Sequence, residues 1–505
     1  MVTAKLYTFL NTITGYKNYW ILFTFIFLTL FQYQPPNGRL SPVEEMYFGY
    51  ALALNEKIQI NDSSFGLKEM QTRFLFDKFT TLLISNFGHE NSQKIGRLIC
   101  LIMYSLSLAL LFNTIGINLL QTILCLLIFI YFGQNLFGGG GFFYNYHNTS
   151  LAYPILFLGI TYLIKRKYLE SIIIAGCVTY IHFLIGGWFS IYLFILFFII
   201  EANLKNLLKY VFLYIIIISP IGYYLIKTYF SIPELQTFLD LPSSDWIYSA
   251  FRHPHHLAPF LNLRYFYFNW LTGIVLSIPL AALSLVFYKN YKKDIHKNIA
   301  LLNLIILIQL YISLILAFFD ESYILGKLYM FRSSSLVLFL SAILFILWID
   351  NLIKDRKVKR YLNLFLFSLF FSYHIVQFPK FLQIFNKTDA YEKSLTDFVI
   401  NNTLPEEVIL IDPALESKLY YFERLTNRPT LVTWKFIPTT KIGIYEWYRR
   451  LNFKKKIFAN SQTNGEYNYT YLITNRENMF MNKKYGSPIF SEEYIIYKNE
   501  NYPNN

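Results

Sequence analysis

The run Phe251-Arg252-His253-Pro254-His255-His256 gathers three of the chain's eight histidines beside an arginine. Imidazoles this close can ligate a metal, relay protons or, together with the Arg252 guanidinium, contact a phosphate. The spacing argues against the metal. His255 and His256 are adjacent, which suits two ligands on one ion poorly, and no carboxylate lies at zinc-like spacing nearby. Phosphate or sugar contact is the leading chemistry, with a purely structural loop as its rival. A second constellation is Ser41-Pro42-Val43-Glu44-Glu45. Ser41 suits a helix N-cap, Pro42 suits the first helical position, and Glu44 stands three residues after the serine as in a capping box. Glu44 and Glu45 offer a general base or a metal ligand; they read equally as a cap and a solvated neighbour.

Single residues elsewhere carry weaker signals. His182 precedes Gly186-Gly187-Trp188 at the end of an apolar run, where an ionisable group is costly and therefore a functional candidate. A hydrogen-bonded structural histidine is the competing reading. Arg332 borders another apolar run, placed either to snorkel to the interface or to neutralise an anionic head group. Gly138 to Gly141, then Tyr144, Asn145, Tyr146 and His147, follow no strand, so this is not a nucleotide-phosphate loop. It reads as an aromatic wall to a cavity. Towards the C-terminus, Trp434-Lys435 and Trp447 with Arg449 interleave aromatic and basic side chains in the manner of a sugar or phosphate site. The alternative puts both tryptophans in a core and leaves the bases solvated.

The elements that must position these residues follow from composition. Of 505 residues, 55% are hydrophobic and only 15% charged, against about 25% charged in an average soluble domain. The mean hydropathy is +0.36. Apolar runs of roughly 20 residues, the length that crosses about 30 Å of hydrocarbon, recur along the chain. The expected fold is an α-helical polytopic membrane protein with about eleven spans, near 19–33, 96–112, 117–133, 149–164, 169–185, 187–201, 208–226, 268–288, 298–318, 333–349 and 361–378. The first span lacks a cleavage site and is expected to stay uncleaved.

Lys165-Arg166-Lys167, Lys205 with Lys209, the Lys289–Lys297 group and the Lys354–Arg360 group all fall on one side of this threading. Short cytoplasmic loops collect such bases. The N-terminus is thus expected in the cytoplasm of a cytoplasmic (inner) membrane protein and the C-terminus outside. The formal charge of +14 is explained by these clusters, so no nucleic-acid partner is expected. Residues 1–379 are expected to form a transmembrane domain with a first outer loop at 34–95. Residues 380–505 are expected to form an extracytoplasmic α/β domain, with strand-like runs Val408–Ile411, Thr430–Trp434, Tyr469–Thr474 and Tyr494–Tyr497 around a helix at Lys441–Leu451. On this threading Glu44, Glu45, Arg252 and the 253–256 histidines are expected to line one outer cavity. Cys100, Cys125 and Cys177 each sit in an apolar run and read as small fillers.

An uncleaved first span, a long outer loop opening on Glu44-Glu45-x-Tyr47-x-x-x-Ala51, many further spans and an outer α/β domain resemble the GT-C superfamily of membrane glycosyltransferases, including protein mannosyltransferases and aminoarabinose transferases. The resemblance covers the whole chain in architecture and this motif in sequence. It implies transfer of a sugar from a polyprenyl-phosphate-linked donor, among membrane lipids, to a glycan, lipid or protein acceptor outside the cytoplasmic membrane. An acid of the first outer loop, Glu44 or Glu45, would be the base or metal ligand. Arg252, His253, His255, His256 and Arg332, with His182 and His147 as further candidates, would stabilise the leaving phosphate. The cofactor is unknown, a divalent cation such as magnesium or manganese being left open. Rival readings are a polysaccharide polymerase or ligase, a transporter, and a scaffold of envelope glycan assembly.

Overall fold

The computed structural model describes residues 18–33, 41–54, 64, 73–143, 145–230, 240–353, scattered positions from 355 to 376, 390–459, 466–475 and most of 485–499. Among these, six helices are long and apolar enough to cross a membrane and four shorter apolar helices accompany them. In chain order they are α1 (Tyr19–Tyr33), α3 (Phe74–Ile115), α4 (Leu119–Tyr131), α5 (Asn148–Ile164), α6 (Tyr168–Ile181), α7 (Phe183–Glu201), α8 (Leu204–Phe230), α9 (Leu263–Asn290), α10 (Asp294–Phe319) and α11 (Ser334–Leu352), with α2 (Pro42–Leu54) between the first two. The chain is an α-helical polytopic membrane protein with a small C-terminal α/β domain. Each described helix of the membrane set overlaps an expected span, with the span expected at 169–185 interrupted at His182; the eleventh, 361–378, falls largely outside the described residues.

The chain forms two compact units. The first comprises Met1–Gly38, Gln93–Lys227 and Tyr248–Phe385. Its helices bury one face and expose another: Leu204, Leu208, Phe212, Ile215 and Ile216 of α8 and Ile308, Ile312 and Ile315 of α10 stay exposed. A protein in water rarely leaves so contiguous an apolar surface open, whereas lipid accepts it. At one end of the helices the basic loops meet. Arg166 pairs with Asp294 at 3.1 Å, Asn298 donates to the Ile164 carbonyl at 3.0 Å, and Asn351 donates to Tyr291 at 2.6 Å.

The second unit comprises Arg39–Ser92, Thr228–Ile247 and Asn386–Asn505. Its sheet has the order β1-β2-β4-β3, from β1 (Ile409–Ile411), β2 (Tyr471–Asn475), β3 (Phe490–Ser491) and β4 (Tyr494–Lys498). β1 and β2 are parallel; β4 runs antiparallel to both neighbours. Leu395 and Val399 of α12 (Ala390–Asn402) and Phe422 of α13 (Phe422–Thr426) pack with Ile409, Ile411, Ile473 and Ile496 of the sheet. The expected helix at 441 is α14 and continues to Phe458. The expected strand Thr430–Trp434 is reduced to a bridge between Thr430 and Ile409. Two of its amides turn to carboxylates instead of a ladder: Thr430 donates to Glu423 and Trp434 to Glu416, each at 3.1 Å.

In this unit α3 begins at Phe74 rather than near residue 96, because Asp77, Lys78, His89 and Glu90 lower hydropathy without opposing helix. The one break within it is at Gly88, with φ 71° and ψ 174°.

Candidate functional site

Arg332 lies just before α11, at the end of the helices remote from the basic loops. Its Nη2 donates to Thr149 Oγ1 at 2.7 Å, in the first turn of α5, and lies 3.4 Å from His182 Nε2 at the α6–α7 junction. The ring of Tyr329 is 5.6 Å from the guanidinium carbon. None of the three is an acid. Arg332 Nε is buried and has no hydrogen-bond partner, although a guanidinium is a donor at every N–H and can satisfy none of them internally. An anion brought to this arginine would supply both the missing acceptor and the missing charge.

Burial disfavours the charged form of His147, His253 and His256. His147 caps α5, its Nδ1 accepting from the Ser150 amide at 3.1 Å, which leaves the ring proton on Nε2. Burial, and then the Arg332 charge, pull its pKa down to about 3. His256 Nδ1 lies 3.0 Å from the Gly138 carbonyl and must donate to it; burial first, then His255 and Arg332, lower its pKa to about 3. His253 donates likewise to the Tyr248 carbonyl at 3.1 Å, and burial with Arg252 nearby holds it well below the usual imidazole range. His255 is exposed, its ring centroid 4.0 Å from that of His256. Arg252 is buried. The Arg-His run thus pins one loop to another, and the permanent positive charge resides on Arg332 and Arg252.

Gly138 explains why the loop can come so close. Its φ is +64°, and an added Cβ would strike the Trp270 ring and lie 2.7 Å from Phe331 Cβ. Asp320 accepts from the Ile324 and Leu325 amides and so serves its own turn.

The acidic pair lies in the second unit. Ser41 and Glu44 form the expected reciprocal cap: the Glu44 amide donates to Ser41 Oγ at 3.3 Å and the Ser41 amide to Glu44 Oε2 at 2.9 Å. Glu45 is not the solvated neighbour the cap reading allowed. It is buried and held from both sides by Arg424, whose Nε is 2.9 Å from each carboxylate oxygen and whose Nη2 is 2.8 Å from Oε1. Sequence reasoning did not foresee the pairing of Glu45 with Arg424, because a pair this far apart in the chain leaves no local signature.

Of the C-terminal candidates, Trp434 and Lys435 line a cleft of about 330 Å³ with Tyr420, Glu416, Lys454 and Lys455. Trp447 is in the core, its indole donating to the Thr433 carbonyl at 2.9 Å. Arg449 pairs on the surface with Glu466. Lys454 is buried against Glu416; nothing in its sequence context distinguishes it from Lys455 and Lys456. Among the described residues no group of three His, Cys, Asp or Glu is placed to hold a metal ion.

Residues 390–453 match a family described as a domain of unknown function, DUF6798. No curated protein matches the chain. Among solved structures the chain is similar to ArnT from Cupriavidus metallidurans in the apo state, at 10% identity and a TM-score of 0.41, over 95% of this chain and 97% of that one.

Proposed function

We propose that the chain is a membrane glycosyltransferase of the GT-C kind, moving a sugar from a polyprenyl-phosphate carrier to a glycan, lipid or protein acceptor outside the cytoplasmic membrane. The observation that carries the reading is Arg332: a guanidinium at one end of a polytopic bundle, contacting a hydroxyl and an imidazole, with a buried N–H still lacking an acceptor. A lipid-linked phosphate has the matching charge and reaches this depth by diffusion in the bilayer.

The chemistry asks little more. The acceptor hydroxyl gives its proton to a carboxylate as its oxygen bonds to the anomeric carbon. The bond from that carbon to the phosphate oxygen breaks, and its electron pair leaves on the phosphate. A preorganised cation at that oxygen stabilises the charge as it develops. Arg332, supported by Arg252, has this role. The base is assigned to the acidic pair, Glu44 or Glu45.

The test is binding of polyprenyl phosphate to the full chain in lipid nanodiscs, coupled to sugar transfer in cells. Wild type should bind saturably, Arg332→Gln at least about tenfold more weakly, and Glu44→Gln or Glu45→Gln should still bind while transferring at least about a hundredfold less, the lower end of general-base contributions. Movement of the lipid-linked sugar across vesicles without bond formation would make the chain a transporter, and absence of binding would leave a scaffold. Protease added to intact spheroplasts should cut within 390–505; protection there would reverse the proposed topology.

A further inference from the structure

The 330 Å³ cleft of the C-terminal domain is as large as the smaller pockets that hold organic ligands, about 300–1,000 Å³. Tyr420 and Trp434 line it, and both side chains are half-buried. Each ring rests on a buried aromatic neighbour: Trp434 on Trp447 and Tyr420 on Tyr421, with ring centroids 5.7 Å apart in both pairs. Trp447 is fixed in turn by its bond to the Thr433 carbonyl, and the Trp434 amide by Glu416 at 3.1 Å. The aromatic walls are therefore set before any ligand arrives, which spares the ordering cost that mobile side chains would add to binding.

Between these walls the lining is polar. Ser417 contributes a hydroxyl and Glu416 a carboxylate. One Glu416 oxygen binds the buried Lys454 and the other accepts from the Trp434 amide. A carboxylate has about four acceptor sites, so Glu416 can still take a hydrogen bond from the cleft. Its side chain is 19% exposed, and a ligand that covered it without donating would strip its water at a cost. Lys454 and Glu416 answer each other's charge, while Lys435 and Lys455 complete the lining and are engaged by other groups. What the cleft offers a ligand is two aromatic rings and a hydrogen-bond acceptor.

A pyranose answers both. Its ring C–H bonds form an apolar face that packs on an indole or phenol ring, and its hydroxyls donate and accept. A flat apolar molecule would cover the rings and leave Glu416 without a donor; a small ion would leave the rings uncovered. A narrower cavity of about 40 Å³ shares Glu416, Tyr420, Trp434 and Lys454 with the cleft, and Glu45 and Met46 line that second cavity. We infer that this cleft binds a saccharide through its ring faces and hydroxyls rather than through charge, and holds it beside the cavity that Glu45 lines. That the saccharide is the acceptor of sugar transfer rests on the function proposed above; that it binds does not.

The test is calorimetric titration of the full chain, in a detergent without a sugar headgroup, with neutral tetrasaccharides of glucose, galactose and N-acetylglucosamine. At least one should bind, with an affinity that added salt leaves unchanged, because salt screens charges and not ring contacts. Sorbitol, which has the hydroxyls without a ring face, should not displace it, and neither should inorganic phosphate. Trp434→Ala and Tyr420→Leu should each weaken binding by up to about tenfold, the upper end of what one aromatic contact contributes. Trp434→Phe, which keeps a ring on Trp447, should lose less than Trp434→Ala. Lys393→Gln, an exposed charge outside the lining, should change nothing. Binding of none of the three saccharides, loss of binding in salt, displacement by sorbitol or phosphate, or indifference to both Trp434→Ala and Tyr420→Leu would overturn the inference. Binding as described in a chain that transfers no sugar would sink the glycosyltransferase reading and leave the cleft standing.

Discussion

Arg332 and Arg424 carry the same planar guanidinium and meet opposite surroundings. Arg424 grips both oxygens of a buried carboxylate; Arg332 touches a hydroxyl, an imidazole and a phenol ring and keeps one N–H unsatisfied. The contrast extends beyond the two residues. In the second unit Arg73 pairs with Asp77, Arg450 with Glu446 and Lys454 with Glu416. These cations have acids of their own chain, whereas the buried Arg428 is held by the Thr426, Ile400 and Thr403 carbonyls and the Thr403 hydroxyl. Arg332 is half-buried, and its buried Nε has no acceptor, so an outside anion would be favourable there. That Nε is the place such an anion would meet.

The sharpest way to break this contrast is to make the paired arginine resemble the other. Glu45→Gln leaves the Arg424 charge buried opposite an amide, which should cost about 3 kcal/mol of stability, the lower end for breaking a buried pair. A correspondingly lower thermal midpoint in detergent, with part of the loss recovered by adding Arg424→Gln, is the expected result. A neutral Glu45→Gln would mean that Arg424 needs no acid, and the contrast would fail.

Arg332→Lys sharpens the other half. Lysine keeps the charge but loses the planar fork, so polyprenyl phosphate should bind more tightly than to Arg332→Gln and several-fold more weakly than to wild type. Equal affinity in all three chains would remove the arginine from the anion site.

Neutral histidines give a pH signature of definite sign. His147 and His256 have folded pKa values lowered to about 3, below the ordinary imidazole value of about 6.5. Between these limits the unfolded chain takes up protons that the folded chain refuses, so stability should fall as pH is lowered from about 6.5 towards about 3. Unfolding midpoints measured from pH 7 to 4 should show this, and His256→Gln should flatten part of the slope. The smallest effect belongs to Arg449→Gln. Its partner Glu466 is exposed, and such surface pairs contribute at most about 1 kcal/mol, so the thermal midpoint should barely move.

Much of the membrane unit was legible because hydropathy is a local property: each described membrane helix can be found from a run of its own residues. The capping box of Ser41 and Glu44 was legible for the same reason, being set by a spacing of three. What could not be read was whatever depends on partners distant in sequence. Glu45 is next to Glu44 in the chain, yet its surroundings are decided by Arg424. Trp434 and Trp447 have similar local contexts, but one lines a cleft and the other fills a core. The strand expected at Thr430–Trp434 has the right composition; its loss depends on Glu423 and Glu416, whose positions no strand pattern encodes.

Gly138 joins a positive φ, a close approach to Trp270 and Phe331, and a carbonyl that receives the His256 proton. A larger residue there would have to twist the backbone, push an indole aside and release a histidine in a single step. No order of neutral intermediate changes separates those three demands, so this glycine should be among the slowest positions in the chain to drift. In a library of all single substitutions it should tolerate fewer replacements than Gly133, which shares the positive φ but has open space around it.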